Sequence, residues 1–241
     1  MFSAPDFPGA LAAGPRLRPT GIVAAAITLT LAVSPPVLAS QKLPSAAGDG
    51  LEPTDSGYQV SIDIDGDGEP DEITIVAGSD GRTRVAVVRA RGGSASFSVP
   101  FRGPAGSVPL GERLVGAAPL THGDRADLVF LTREGECGRH RIVRWRSGRP
   151  TVVPNPRGGK QWRVCGLGVS PVGRGYRSVE RAGRHKMITF VGREVDGRVR
   201  MRRTVYRWTG PDWRQLKSQR MWLATSEALP VWGMDFPWRT S

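Results

Sequence analysis

"DIDGDGEPDEITIV", Asp63–Val76, follows directly on "YQVSI", Tyr58–Ile62. Its second half is apolar and β-branched, and the flanking run is half so. An Asp- and Gly-rich turn between two such runs predicts a β-hairpin. The turn itself is unusual. Asp63, Asp65 and Asp67 alternate, Gly68 follows, and then come Glu69 and Asp71. The 241-residue chain has a formal charge of +12, yet eight acidic residues occur from Glu52 to Glu72 without a Lys or Arg. Acidity concentrated in this way predicts a local task.

The spacing D-x-D-x-D-G-x-x-D suits a hard dication. Calcium takes about six to eight oxygens, and a tight loop delivers them from its first, third, fifth and ninth positions, with a backbone carbonyl from the seventh. Here those positions are Asp63, Asp65, Asp67 and Asp71, with the carbonyl of Glu69. Without a cation, carboxylates at this density repel one another. Magnesium fits less well, because it prefers few protein carboxylates and keeps its water. The loop is not an EF-hand. The twelfth position is Thr74 instead of a bidentate Glu, and both flanks read as strands.

An Asp loop of this kind between the first two strands of a unit, followed at once by an apolar strand, resembles the FG-GAP or VCBS-type repeat of integrin-alpha-like β-propellers. The resemblance implies one calcium, held by Asp63, Asp65, Asp67, Asp71 and the Glu69 carbonyl. It covers one unit well. In the second, "PLTHGDRADLVFL" keeps Asp127 before the apolar strand and retains Asp124; in the third, "ERAGRHKMITFV" replaces acid with base.

Outward from the loop, the chain reads as short strands: "TRVAVVRA", "ASFSVP", "DLVFLTR", "HRIVRWR", "PTVVP", "KMITFVG", "RVRMRRTVYRW" and "WRQLKSQRMWL". They are β-branched, partly alternating, and separated by Gly, Asp or Ser. Two blocks recur. "PDEITIV" matches "RADLVFL" and "HKMITFV", and "VVRARGG" matches "IVRWRSG" and "VYRWTG". Asp71 precedes Arg89 by 18 residues, Asp127 precedes Arg144 by 17, and His185 precedes Arg207 by 22. Such self-similarity predicts a repeat. The expected fold is all-β, with about three antiparallel four-stranded blade-like units in a propeller-like or compact partial-propeller arrangement. The units are drawn at 55–105, 106–156 and 157–241 within a single domain, 55–241. Three units are fewer than full propellers of this kind contain. The aromatic tail "VWGMDFPW", Val231–Trp238, is expected to dock as a closing strand.

The ends and the cysteines point to export. Arg16 and Arg18 precede the apolar run Ile22–Val33, then Pro35 and Pro36, and "VLA" ends at Ala39. That order is a secretory signal peptide, 1–39. Residues 40–54 read as a flexible leader. The chain has two cysteines, Cys137 and Cys165, which outside the cytoplasm are expected to pair. The expected location is secreted or in the cell envelope, with no membrane span after signal removal and a partner that is not identified.

Catalytic motifs are sparse. His122, His140 and His185 lie at turns or strand starts, without a Ser or Cys nucleophile in an elbow. All seven tryptophans fall between Trp145 and Trp238 and are expected to fill the core. Arginine outnumbers lysine 30 to 4, but there is no arginine run and no nucleic-acid module, so nucleic acid is not expected as a partner. The leading expectation is an exported calcium-binding β-repeat scaffold or binding protein with no catalytic activity of its own. The alternatives are a secreted hydrolase or lyase with a structural calcium, and a basic protein that binds envelope polyanions.

Overall fold

A computed structural model describes residues 57–103, 107–181 and 184–239. The expected signal peptide and leader lie outside these residues. Among the described residues the chain is all-β with antiparallel sheets and two single-turn helices.

Four strands follow one another in the first sheet: β1 (Tyr58–Ile62), β2 (Asp71–Ala77), β3 (Arg82–Val88) and β4 (Ser94–Pro100). Side chains alternate between its faces, as the pleat requires. Ile73, Ile75, Val85, Val87 and Val99 form one face and are fully buried. Glu72, Thr74, Arg84, Ser96 and Ser98 lie on the other, which is mostly polar.

The helix α1 (Leu110–Arg113) leads into a second meander: β5 (Leu114–Ala118), β6 (Asp127–Arg133), β7 (Cys137–Arg146) and β8 (Arg149–Val153). A third consists of β10 (Gly173–Arg181), β11 (Arg184–Val195), β12 (Arg198–Trp208) and β13 (Trp213–Ala224). Between them lies β9 (Trp162–Cys165), which the sequence reading does not assign as a strand. Its origin is a mismatch of lengths. The second half of β7 pairs with the short β8, and the first half, Cys137–His140, is left for β9. β9 then touches β10 at Cys165 and Arg174. The second and third meanders are thereby hydrogen-bonded into one ten-stranded sheet. Cys137 and Cys165 face each other across β7 and β9 and are disulfide-bonded, as expected.

The core consists of successive layers. On β6, Leu128 and Phe130 pack on the apolar face of the first meander, and Val129 points the other way, toward the third. Val143 and Ile142 of β7 divide in the same manner. The second meander is therefore apolar on both faces. On β11, Met187 faces the second meander, and Ile188 and Phe190 face away. That outer apolar face is covered by the tail: α2 (Thr225–Ala228), a 3-10 turn at Leu229–Val231, and Trp232. The tail continues as β14 (Met234–Asp235), which pairs with β10 in parallel, and the N–H of Arg239 donates to the Ala117 carbonyl of β5 at 2.8 Å. A Cβ at Gly175 would stand on the Val231 carbonyl, so only glycine lets the tail lie this close to β10.

Three of the seven tryptophans, Trp145, Trp162 and Trp213, are buried. Trp162 lies 5.0 Å from Tyr176 and 6.4 Å from Trp213, centroid to centroid. Burying each such ring contributes about 1.5–3 kcal/mol. Trp222 differs, being 48% exposed on β13.

Candidate metal centre

The acidic loop joins β1 to β2. It turns tightly because its side chains fold back on its own backbone. The Asp63 carboxylate accepts N–H bonds from Gly66 (2.7 Å) and Gly68 (3.1 Å). Asp67 Oδ1 accepts the N–H of Glu69 at 2.9 Å. Gly66 has φ +79°, and a Cβ there would lie 2.8 Å from Arg125 Cγ and 3.1 Å from the Asp124 carboxyl carbon. The loop therefore packs against the corresponding turn of the second meander, and glycine is required on both counts.

Asp71 is fully buried at the start of β2. Its Oδ2 accepts the N–H of Ile64 and its Oδ1 that of Ala90, both at 3.0 Å. It thus ties the loop to the turn after β3. Burial pushes its carboxyl above the usual carboxylate range; the two N–H donors oppose this, and the nearby Asp65 and Asp67 add to it.

Asp63, Asp65 and Asp71 each bring a carboxylate oxygen within 4.8 Å of the others. Asp67 is not in that group. Its Oδ2 lies 3.3 Å from Arg91 Nε, and its carbonyl accepts from Arg91 Nη2 at 2.8 Å. The Glu69 side chain is also drawn to Arg91, at 3.6 Å. Arg89 Nη1 stands 3.6 Å from Asp65 Oδ2. These two arginines of the turn after β3 are counter-charges that sequence reading missed. The signal was present in "VVRARGG", a block noted only for its repetition.

An oxygen-only donor set fits a hard cation such as calcium. One atom strengthens the fit: Asp65 Oδ1 is shielded from solvent and has no hydrogen-bond partner. A cation shared with Asp63 and Asp71 would satisfy it.

The second meander repeats the tie without the acidic turn. Asp127 opens β6 and is buried; its Oδ2 accepts the N–H of Leu120 (3.0 Å) and of Thr121 (2.8 Å), and the Thr121 hydroxyl donates to Oδ1 at 3.1 Å. In the third, His185 occupies the corresponding place near the start of β11 and is buried, with Nε2 4.0 Å from Glu180 Oε2. Burial pulls its imidazole below the ordinary value, against the opposing pull of Glu180. His140, half-buried on β7 opposite Trp162, is pulled down to about 4 for the same reason. No family model, curated protein or solved structure matches the chain.

Proposed function

We propose that the chain is an exported β-repeat protein of the FG-GAP type, stabilised by one calcium ion and serving as a binding or scaffold module without catalysis of its own. The observation that carries the reading is the convergence of Asp63, Asp65 and Asp71 around a solvent-shielded, unpartnered Asp65 oxygen. Its position adds support. The loop joins the first two strands of a four-stranded meander, and that meander packs face to face on the next, as blades do.

In this reading Asp63, Asp65 and Asp71 hold the ion, joined by the Glu69 carbonyl and by Asp67 once it leaves Arg91. The ion supplies positive charge that lets the carboxylates share one site. The protein's part is to preset the loop, through the Asp63 acceptors and the Asp71 tie. The meanders act as blades in an open stack, with the tail covering the last apolar face. Calorimetric titration with calcium tests the reading, alongside melting in calcium and in chelator. No heat of binding and no change in melting temperature would refute it.

A further inference from the structure

The third meander is longer than the layer beneath it. β11, β12 and β13 run 12, 11 and 12 residues, whereas β5 and β8 have five. Near the β12–β13 turn, one face packs into the core through Tyr176, Met187, Tyr206 and Trp213. Farther along, the same face projects beyond the second meander. The strand register shows what it carries. Arg174 pairs with Val191, Val191 with Arg202, and Arg202 with Arg220, so these four share one transverse row on one face. In the next row Arg193 pairs with Arg200, and Arg200 with Trp222. On the core side, Thr189 pairs with Thr204, and Thr204 with Ser218.

Two adjoining grooves of 330 and 470 Å³ lie along this face and share Val191 and Arg202. Arg157, from the segment after β8, lines the second. Among the described residues, none of Arg157, Arg174, Arg193, Arg200, Arg202 and Arg220 forms an ion pair with an acidic side chain. Arg157 and Arg163 stand close enough to Arg174 to pull its guanidinium below the ordinary value, added to the larger effect of burial. Like charges gathered without counter-charge, in a concave site, focus an attractive field on an anion. Core packing does not account for them: at this end of the strands Phe190, Val199 and Met201 face the other way, into the tail.

We propose that this arginine face binds a linear acidic polysaccharide, the guanidinium groups taking uronate carboxylates and Trp222 stacking on a sugar ring. Guanidinium is suited to paired hydrogen bonds with carboxylate. Neighbouring arginines stand about 4.8 Å apart across strands and about 6.8 Å apart along β12, which suits a repeating anion better than a single small one. The exposed Ser218 hydroxyl, held at 3.1 Å by that of the buried Thr204, lines the second groove and can meet a sugar hydroxyl. Nucleic acid fits less well, because strand binding uses an aromatic platform for successive bases and this face exposes one tryptophan. The inference rests on the binding-module reading and names its ligand class; it does not need the metal.

The test uses the mature chain in 1 mM calcium and an end-labelled hyaluronan decasaccharide, followed by fluorescence anisotropy. Binding should be measurable at 50 mM salt and fall steeply by 200 mM. Arg200→Ala with Arg202→Ala should weaken it about tenfold or more, the equivalent of at least one lost charged contact. Trp222→Ala should weaken it about fivefold, as expected for a lost stacking contact. Arg146→Ala with Arg149→Ala, on the β7–β8 turn, should leave it unchanged. If the alanine pair fails to fold, Arg202→Gln gives the same readout with less disturbance. No binding at low salt, binding indifferent to Arg200 and Arg202, or tighter binding to an oligothymidylate of equal charge would overturn the proposal. A calcium melt on the same sample separates the outcomes: a calcium shift without glycan binding refutes this inference alone.

Discussion

Asp71 and Asp127 make the same contact one meander apart. Each is the first residue of its meander's second strand, each is buried, and each accepts the N–H of the residue seven places earlier, Ile64 or Leu120, at 3.0 Å. The repeat is therefore one of hydrogen bonding as well as of sequence. Asp71 uses its second oxygen to reach the next turn, and Asp127 uses the equivalent capacity on Thr121. Only the first carries the alternating acids Asp63, Asp65 and Asp67; the second keeps Asp124 alone.

Asp127 should give stability an inverted pH dependence. Burial pushes its carboxyl from 3.8 up to about 6, outweighing its hydrogen bonds to Thr121 and Leu120. The folded state then holds a proton that the unfolded chain releases, so stability from this group is greatest below about pH 4 and lost as pH rises through 6. In thermal melts, the advantage of wild type over Asp127→Asn should be larger at pH 4 than at pH 7, by up to about 3 kcal/mol. A gap that widens with pH would refute this.

Arg89 and Arg91 should compete with the metal. Both stand against loop carboxylates, Asp65 at 3.6 Å and Asp67 at 3.3 Å. Ion pairs at the protein surface contribute about 0.2–1 kcal/mol, and Arg91, the more exposed of the two arginines, forms such a pair, so Arg91→Ala should tighten calcium about two- to fivefold by calorimetry. Asp65→Ala should abolish binding, and Asp67→Ala should weaken it by a smaller factor. If Arg91→Ala loosens calcium, the arginine belongs to the binding state and not to its competitor.

Calcium should raise the melting temperature of the wild type. At a hundredfold excess over Kd the gain is about 2.7 kcal/mol. For a domain of this size that corresponds to about 5–10 °C. Asp63→Ala should remove the gain. Asp124→Ala should keep most of it, since its contact with the loop is at Gly66 and its carboxylate is not among the converging three.

Loss of the disulfide should be costly but not fatal. Cys137 and Cys165 are 28 residues apart, and the chain-entropy estimate for such a loop is about 3–4 kcal/mol. Cys137→Ala with Cys165→Ala should lower the denaturant midpoint accordingly. An unchanged midpoint would mean that β7–β9 pairing alone restricts the loop.

Gly175→Ala should detach the tail. The added methyl would meet the Val231 carbonyl, a backbone atom that cannot rotate aside. Trp232 and the face it shares with Phe190, Val199 and Met201 would then become accessible. Faster proteolysis after Ala224 and increased binding of a hydrophobic dye should accompany a loss of about 2–4 kcal/mol. A native melting temperature would show that the tail contributes little.

The first hairpin, the recurring Asp-then-apolar blocks and the cysteine pair were legible in the sequence, because each rests on local chemistry: a turn signal, a period of two, an even thiol count. β9 was not. "WRVC" is too short to show a pattern, and its strand identity comes from the unpaired half of β7, a tertiary cause. The four-residue helix α1 was invisible for the same reason of length. At the loop, the carboxylates were readable from spacing, but the standing-off of Asp67 was not. It depends on Arg91, 24 residues on, reaching back across the meander. The arginine face was visible only as composition, since aligning Arg174, Arg202 and Arg220 requires the register of four strands.

The bond between Cys137 and Cys165 also determines how the chain would carry tension. All of β8, and the segment holding Asn155 and Trp162, lies inside the closed loop. A pull on the two ends passes from one sulfur to the other and never loads those residues. The β7–β8 hairpin cannot be unzipped mechanically while the bridge stands. Reduction would add the 28-residue separation to the extensible length, about 100 Å at full stretch. In a force-extension trace the thiol state would therefore be read as a length, independent of how strongly either sheet resists.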